Sequence, residues 1–167
     1  VSISLVEDGD QHEDIVHKAY LVPFRHKMEG LVNVLLWERP KRGLIFCHTR
    51  LETMNVSQRL NEEGFNSGSL HGEMTQRERN AVLSAFENGH LPLLVATNVA
   101  ARGLDVEGVT HVIQIGLPDD RDTFVHRSGR TGRAGHEGMD ILLLSPQEAE
   151  KFKYMIGSAK VNIEWNN

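Results

Sequence analysis

An α/β fold built on a mainly parallel sheet is what the sequence predicts, and three features predict it. Short apolar runs recur along the chain, several near-continuous, such as Leu-Ile-Phe-Cys at 44–47 and Ile-Leu-Leu-Leu at 141–144. Runs of that kind suit strands buried on both faces of a parallel sheet. Amphipathic stretches with legible caps lie between them, and such alternation implies right-handed βαβ crossovers with helices on both faces.

The candidate strands are Ala19–Phe24, Gly43–Cys47, Ser67–His71, Leu91–Ala96, His111–Gly116 and Asp140–Leu144. Thr49-Arg50-Leu51-Glu52 reads as a capping box that opens a helix, and Gly64 closes it. Thr75-Gln76-Arg77-Glu78 opens another, which ends at Gly89. Ser145-Pro146-Gln147-Glu148 combines an N-cap serine, a first-turn proline and a capping-box glutamate. In the second helix, Arg79, Val82, Ala85 and Phe86 share one face, whose apolar members belong to the core.

The chain has 167 residues, which suits one compact domain, here taken as 15–167. The first dozen residues, rich in Asp, Glu and Gln, read as the frayed end of a linker. With 40% hydrophobic and 25% charged residues the composition is that of an ordinary soluble protein. No apolar run approaches the roughly 20 residues needed to cross a bilayer. The opening VSISLVEDGD has neither a basic flank nor a long apolar stretch, so it is not read as a signal peptide. One cysteine, Cys47, precludes a disulfide within the chain and fits a reducing, cytoplasmic setting. The net charge of −5 argues against binding nucleic acid by bulk attraction. The charge is uneven, however: Arg121, Arg127, Arg130 and Arg133 lie in a stretch whose one acid is Asp122.

In open α/β sheets, ligands gather beyond the carboxyl ends of the strands. Four predicted strand ends carry polar clusters, which together would form a continuous polar surface. The first is His48-Thr49-Arg50. Thr49 is needed as a cap whatever the function, but Arg50 in a first turn opposes the helix dipole and can instead serve an anion. The second is His71-Gly72, with Gln76 and Arg79 following. A glycine after a strand is first of all a turn, and its functional use would be close backbone approach to a phosphate. The third is Thr97 to Asp105, where hydroxyl and backbone N–H groups can hold a phosphate. There Gly103 allows close approach and Asp105 offers an acceptor for a sugar hydroxyl, against the plainer reading of a capped turn. The fourth, His126 to Gly135, is the most informative. Arg127, Arg130 and Arg133 alternate with Gly129, Gly132 and Gly135. A helix hardly tolerates glycines at that density, each costing roughly 1 kcal/mol. A loop that projects guanidiniums together suits bidentate phosphate recognition.

Some features are absent. The sequence has no G-x-x-x-x-G-K-[ST] phosphate loop, no Asp-Glu pair after an apolar strand to organise magnesium, and no G-x-G-x-x-G. Its nine histidines show no zinc-type pairing with cysteine. The chain carries groups that could touch phosphates from one side, without means of its own to hold a nucleotide.

These residues resemble the motifs of DEAD-box RNA helicases. HRSGRTGRAG is similar to motif VI, VATNVAARGLD to motif V, LIFCHTR to motif IV, and LHGEMTQRER to the segment with a Gln-x-x-Arg signature. All four stand in the family's order, and the resemblance covers roughly residues 17 to 158. It implies a RecA-like three-layer α/β/α sandwich, the second of two such domains, with residues 1–14 left over from the linker to the first. In the family that first domain holds ATP and Mg2+, and the two domains close around ATP and single-stranded RNA. By the resemblance, Arg130 and Arg133 match the arginine fingers, Gly103 and Asp105 lie near the nucleotide, and His126 and Arg127 link the domains. Arg50, Gly72, Arg79 and Thr97 match positions on or beside the RNA backbone. Two departures are small: Asn98 stands where many members have Asp or Ser, and Ser128 where many have Ile.

The resemblance implies half of an ATP-dependent RNA helicase whose RNA binding is largely independent of sequence, with no catalysis from this part alone. Its expected partners are RNA and the N-terminal domain, with no membrane. A DNA-directed translocase and a non-catalytic adaptor are the rival readings.

Overall fold

The computed structural model describes residues 15–101, 104, 108–131, 138–157 and 162–166. Among the described residues there are seven strands: β1 (Ile15–Leu21), β2 (Gly43–Cys47), β3 (Ser67–Leu70), β4 (Leu93–Thr97), β5 (His111–Ile115), β6 (Gly138–Leu144) and β7 (Ile163–Asn166). Six helices accompany them: α1 (Lys27–Glu38), α2 (Arg50–Glu62), α3 (Gln76–Glu87), α4 (Asn98–Ala101), α5 (Arg121–Ser128) and α6 (Pro146–Ile156). The strands form one sheet in the order β3-β4-β2-β5-β6-β1-β7, and every pairing is parallel.

Residue alternation along the strands divides the core into two sides. Ile45, Cys47, Val95, Ile113, Ile141 and Leu143 meet Leu31, Val34 and Leu35 of α1 and Val56 and Leu60 of α2. Leu44, Phe46, Leu94 and Ala96 meet Phe86 of α3 and Ala100 and Ala101 of α4. Ala19, Leu142 and Leu144 meet Phe124 of α5 and Phe152 and Ile156 of α6. The three layers follow from the apolar runs, because a strand apolar on both faces must be covered on both.

The three predicted capping boxes form as read. Thr49, Thr75 and Ser145 each accept from the backbone N–H three residues on, and Glu52, Glu78 and Glu148 return the bond. Gly64 and Gly89 take positive φ just beyond their helices, as a left-handed helix exit requires.

Two strands differ from the sequence reading. β1 runs Ile15–Leu21 rather than Ala19–Phe24. Its buried positions are Ile15, His17 and Ala19, and a histidine in that alternation hides the strand. Pro23 then precedes a short 3-10 turn over Phe24–His26. β7 was not foreseen: it is short, partly exposed and lies at the sheet edge, so its sequence carries no continuous apolar run. The expectation that residues 1–14 are a linker lies outside the described residues.

Candidate phosphate and nucleic-acid interface

Because β3, β4, β2 and β5 are parallel neighbours, the polar clusters after them share one edge of the sheet. The structure therefore brings three predicted groups together: the start of α2, the turn after β3, and the β4–α4 junction. The end of α5 joins them through Arg127, which reaches over β2 to the same junction.

At the first cluster, Arg50 opens α2 with an exposed side chain. Its Nε lies 3.4 Å from Glu73 Oε2, an ion pair whose side chains are 47% and 71% exposed. Arg50 is thus extended across the mouth of the turn after β3. In that turn Gly72 is exposed, and a Cβ built there meets nothing within 4 Å. Its φ lies outside the left-handed region. Neither conformation nor packing inside the domain therefore demands glycine at 72. Gly116 contrasts with it: φ is 85°, and a Cβ would come within 3.1 Å of the His48 ring.

Thr97 ends β4 and is buried, with its hydroxyl oxygen accepting from Ala100 N–H at 3.3 Å. The side chain caps α4, as a threonine at a helix start does. Arg79 of α3 donates through Nη1 to the Ala100 carbonyl at 2.8 Å, tying α3 to the same short helix. Two of the four expected RNA-contact residues thus also hold the β4–α4 junction in place.

α5 is capped by Asp120, whose carboxylate accepts from Thr123 N–H at 2.7 Å and is held below its usual range by that bond. Its last turn carries His126, exposed, and Arg127, only 2% exposed. Arg127 Nε donates to Asn98 Oδ1 at 2.7 Å, and the guanidinium lies over the Phe46 ring, 5.2 Å from its centroid. Among the described residues, Nη1 and Nη2 are buried without a hydrogen-bond partner. Burial pushes the guanidinium below its ordinary value, opposed by Asp119, Cys47, Asp140 and Glu52. Arg130 follows, and its Nη1 donates to the Leu104 carbonyl at 2.6 Å. Thr131 Oγ1 donates to the Val109 carbonyl at 2.6 Å, which anchors the chain as it leaves α5. A cavity of about 160 Å³ opens here, lined by Phe46, Asn98, Ala101, Thr123, His126, Arg127 and Arg130. Two arginines and a histidine around a small cavity form an anion-favouring site. Gly103, Asp105 and Arg133, expected at the same place, lie outside the described residues.

A sheet with this order, with Arg127 at one helix end lying over Phe46 of β2 and bonded to Asn98 after β4, is the geometry of a known domain. The model of the helicase conserved C-terminal domain matches residues 26–135. This chain belongs to that family. Within it, the DEAD-box kind is indicated by sequence and by structure. The DEAD-box ATP-dependent RNA helicase RhpA of Helicobacter pylori (strain B128) is 36% identical over 155 residues, covering 93% of this chain and 32% of RhpA. The E. coli DEAD-box protein SrmB, solved bound to regulator of ribonuclease activity A, superposes with a TM-score of 0.81 at 32% identity, covering 91% of this chain and 90% of that one. A DEAD box protein from Methanococcus jannaschii gives 0.83 at 32% identity, covering 92% and 42%. The helicase C-terminal domain described here thus spans about a third of the length of RhpA. The expected RecA-like α/β/α architecture is borne out.

The sequence reading of this helicase domain missed Phe46 as a site residue. Phe46 sits in a strand run and looks like core; only the sheet order places its ring beneath Arg127. Asn98 was visible as a departure from the family pattern, but its bond to Arg127 spans 29 residues and becomes apparent only in three dimensions.

Proposed function

We propose that the parent protein is an ATP-dependent RNA helicase, and that this domain supplies the half that meets ATP phosphates and the RNA backbone. The observation that carries the reading is the cavity at the end of α5, where His126, Arg127 and Arg130 converge beside the strand ends that carry Arg50, Gly72 and Thr97. The name of RhpA, an ATP-dependent RNA helicase, supports the substrate class. ATP is the substrate, bound chiefly by an N-terminal RecA-like domain, with the phosphates presented to Arg130 and Arg133. Guanidiniums there oppose charge as it develops on the transferring phosphoryl group, the role of an arginine finger. In this conformation Arg130 is tied to the Leu104 carbonyl, so closure exchanges that bond for phosphate. Gly103 and Asp105 lie beside the nucleotide, and His126 faces the other domain, whereas Arg127, expected to do the same, is buried and holds the end of α5 from beneath.

Mg2+ does not fit this half. Among the described residues no group of three or more His, Cys, Asp or Glu side chains could hold a metal ion, and the cavity is cationic.

Arg50, Arg79, Gly72 and the Thr97 junction form the RNA side. Contacts of backbone and guanidinium to phosphate fix position without reading bases, so binding is largely independent of sequence. Closure around ATP and RNA assembles the catalytic site. The domain by itself neither hydrolyses ATP nor unwinds RNA. Residues 1–14 are the linker to the first domain, and the setting is cytoplasmic.

The test is ATP hydrolysis by the full-length parent without nucleic acid, with RNA and with DNA, beside the 167-residue chain alone. Stimulation by RNA and no turnover by the chain alone are expected. Stimulation by DNA alone would replace the reading with a DNA translocase. No turnover under any condition would replace it with a non-catalytic adaptor.

A further inference from the structure

Beneath α5 the sheet carries a buried polar row. Gln114 on β5, Asp140 on β6 and His17 on β1 are 0%, 0% and 4% exposed. Gln114 Nε2 donates to Asp140 Oδ1 at 2.8 Å, and the other carboxylate oxygen accepts from His17 Nδ1 at 2.8 Å. The His17 ring lies 5.4 Å from the ring of Phe124 on α5, and Phe124 packs edge-on against Phe152 of α6 at 5.1 Å.

The row points toward Arg127. Gln114 is the register partner of Phe46, the residue whose ring lies under the Arg127 guanidinium. Gln114 Oε1 is a buried acceptor, and Arg127 Nη1 and Nη2 are buried donors, each without a hydrogen-bond partner among the described residues.

Arg127 is buried, yet the side chain it bonds, Asn98, is a neutral amide. A buried charge needs a counter-charge. Of the described carboxylates that act on Arg127, Asp119 is exposed and Glu52 is 46% exposed, so water and salt screen both. Asp140 is fully buried and little screened.

We propose that His17, Asp140 and Gln114 are positioning residues for Arg127. The Asp140 carboxylate, oriented by His17 and Gln114, supplies the buried negative charge that holds the guanidinium against Phe46. It thereby sets the pose of the α5 end that carries His126 and delivers Arg130. Only the catalytic consequence rests on the proposed helicase function; the electrostatic link concerns this chain alone.

The experiment observes the Arg127 Nε–H proton by NMR in the 167-residue chain, with circular dichroism as the folding control. Asp140→Asn keeps the size of the side chain and removes its charge. The Arg127 Nε–H signal is expected to shift, and its exchange with solvent to speed up by about tenfold or more. Adding Asn98→Asp to Asp140→Asn places a carboxylate directly at Arg127 Nε and is expected to restore slow exchange. A purely structural role for the row would not be rescued by a charge 29 residues away from Arg127 in sequence. An unchanged Arg127 signal in a folded Asp140→Asn chain would overturn the inference, and so would failure of Asn98→Asp to rescue. In the full-length parent, Asp140→Asn should lower kcat for RNA-stimulated ATP hydrolysis while KM for ATP stays within about twofold. If the wild-type parent shows no turnover, the helicase reading fails, whereas the NMR result still decides the electrostatic link.

Discussion

Gly72→Ala separates a functional glycine from a structural one, because the two readings predict opposite signs. A Cβ at 72 meets no atom within 4 Å, and the backbone there lies outside the left-handed region. Alanine is therefore accommodated without strain, and the unfolded chain loses freedom, which stabilises the fold by about 0.4–1 kcal/mol. For a chain of this size that raises Tm by about 1–4 °C. If Gly72 lets a phosphate approach the backbone, the added methyl stands where the phosphate oxygen must sit. Losing a hydrogen bond to a charged group costs about 1.5–3 kcal/mol. RNA affinity should then fall about 10- to 150-fold. The assay pairs thermal unfolding of the 167-residue chain with anisotropy of a labelled single-stranded RNA bound to the parent in the presence of a non-hydrolysable ATP analogue. A lower Tm would show that the packing argument is wrong, and unchanged RNA affinity would remove Gly72 from the interface.

Three further outcomes are expected. Glu73→Gln releases Arg50 from an exposed ion pair worth about 0.2–1 kcal/mol, so RNA affinity should rise by up to about fivefold at low salt; anisotropy showing a loss would make Glu73 an RNA contact rather than a competitor. Arg130→Ala in the parent should cut RNA-stimulated ATP turnover by about 10³-fold or more while RNA binding persists, as measured by steady-state hydrolysis; a loss below about tenfold would exclude an arginine-finger role. Burial holds His111 below its ordinary value, partly offset by Glu38, so the unfolded chain binds this proton more readily than the folded one. Stability should therefore decline as pH falls through and below the ordinary histidine range. Urea unfolding from pH 7.5 to 5.5 should show a smaller decline in His111→Gln than in the wild type.

The sequence alone determined the alternation of strands and helices, the three capping boxes and the exits at Gly64 and Gly89, because these depend on residues a few positions apart. It also placed the polar clusters at the ends of the strands that carry them, since arginine and glycine spacing is local information. The resemblance to DEAD-box helicases followed from four such local strings in order. β1 was misplaced because its buried histidine is affordable only opposite Asp140, 123 residues away. β7 was unreadable because an edge strand needs little apolar sequence.

Tertiary structure alone decided which clusters meet. The sheet order puts β4 and β5 on either side of β2, so Asn98, Phe46 and Arg127 form one site although they are scattered over 82 residues of chain. It also gave Thr97 and Arg79 their second duty at the β4–α4 junction, and it buried Arg127 against a neutral amide, Asn98. A guanidinium in the sequence reads as exposed and solvated. How much of its charge the protein must balance depends on desolvation and on buried neighbours such as Asp140, and those are set by how distant strands pair.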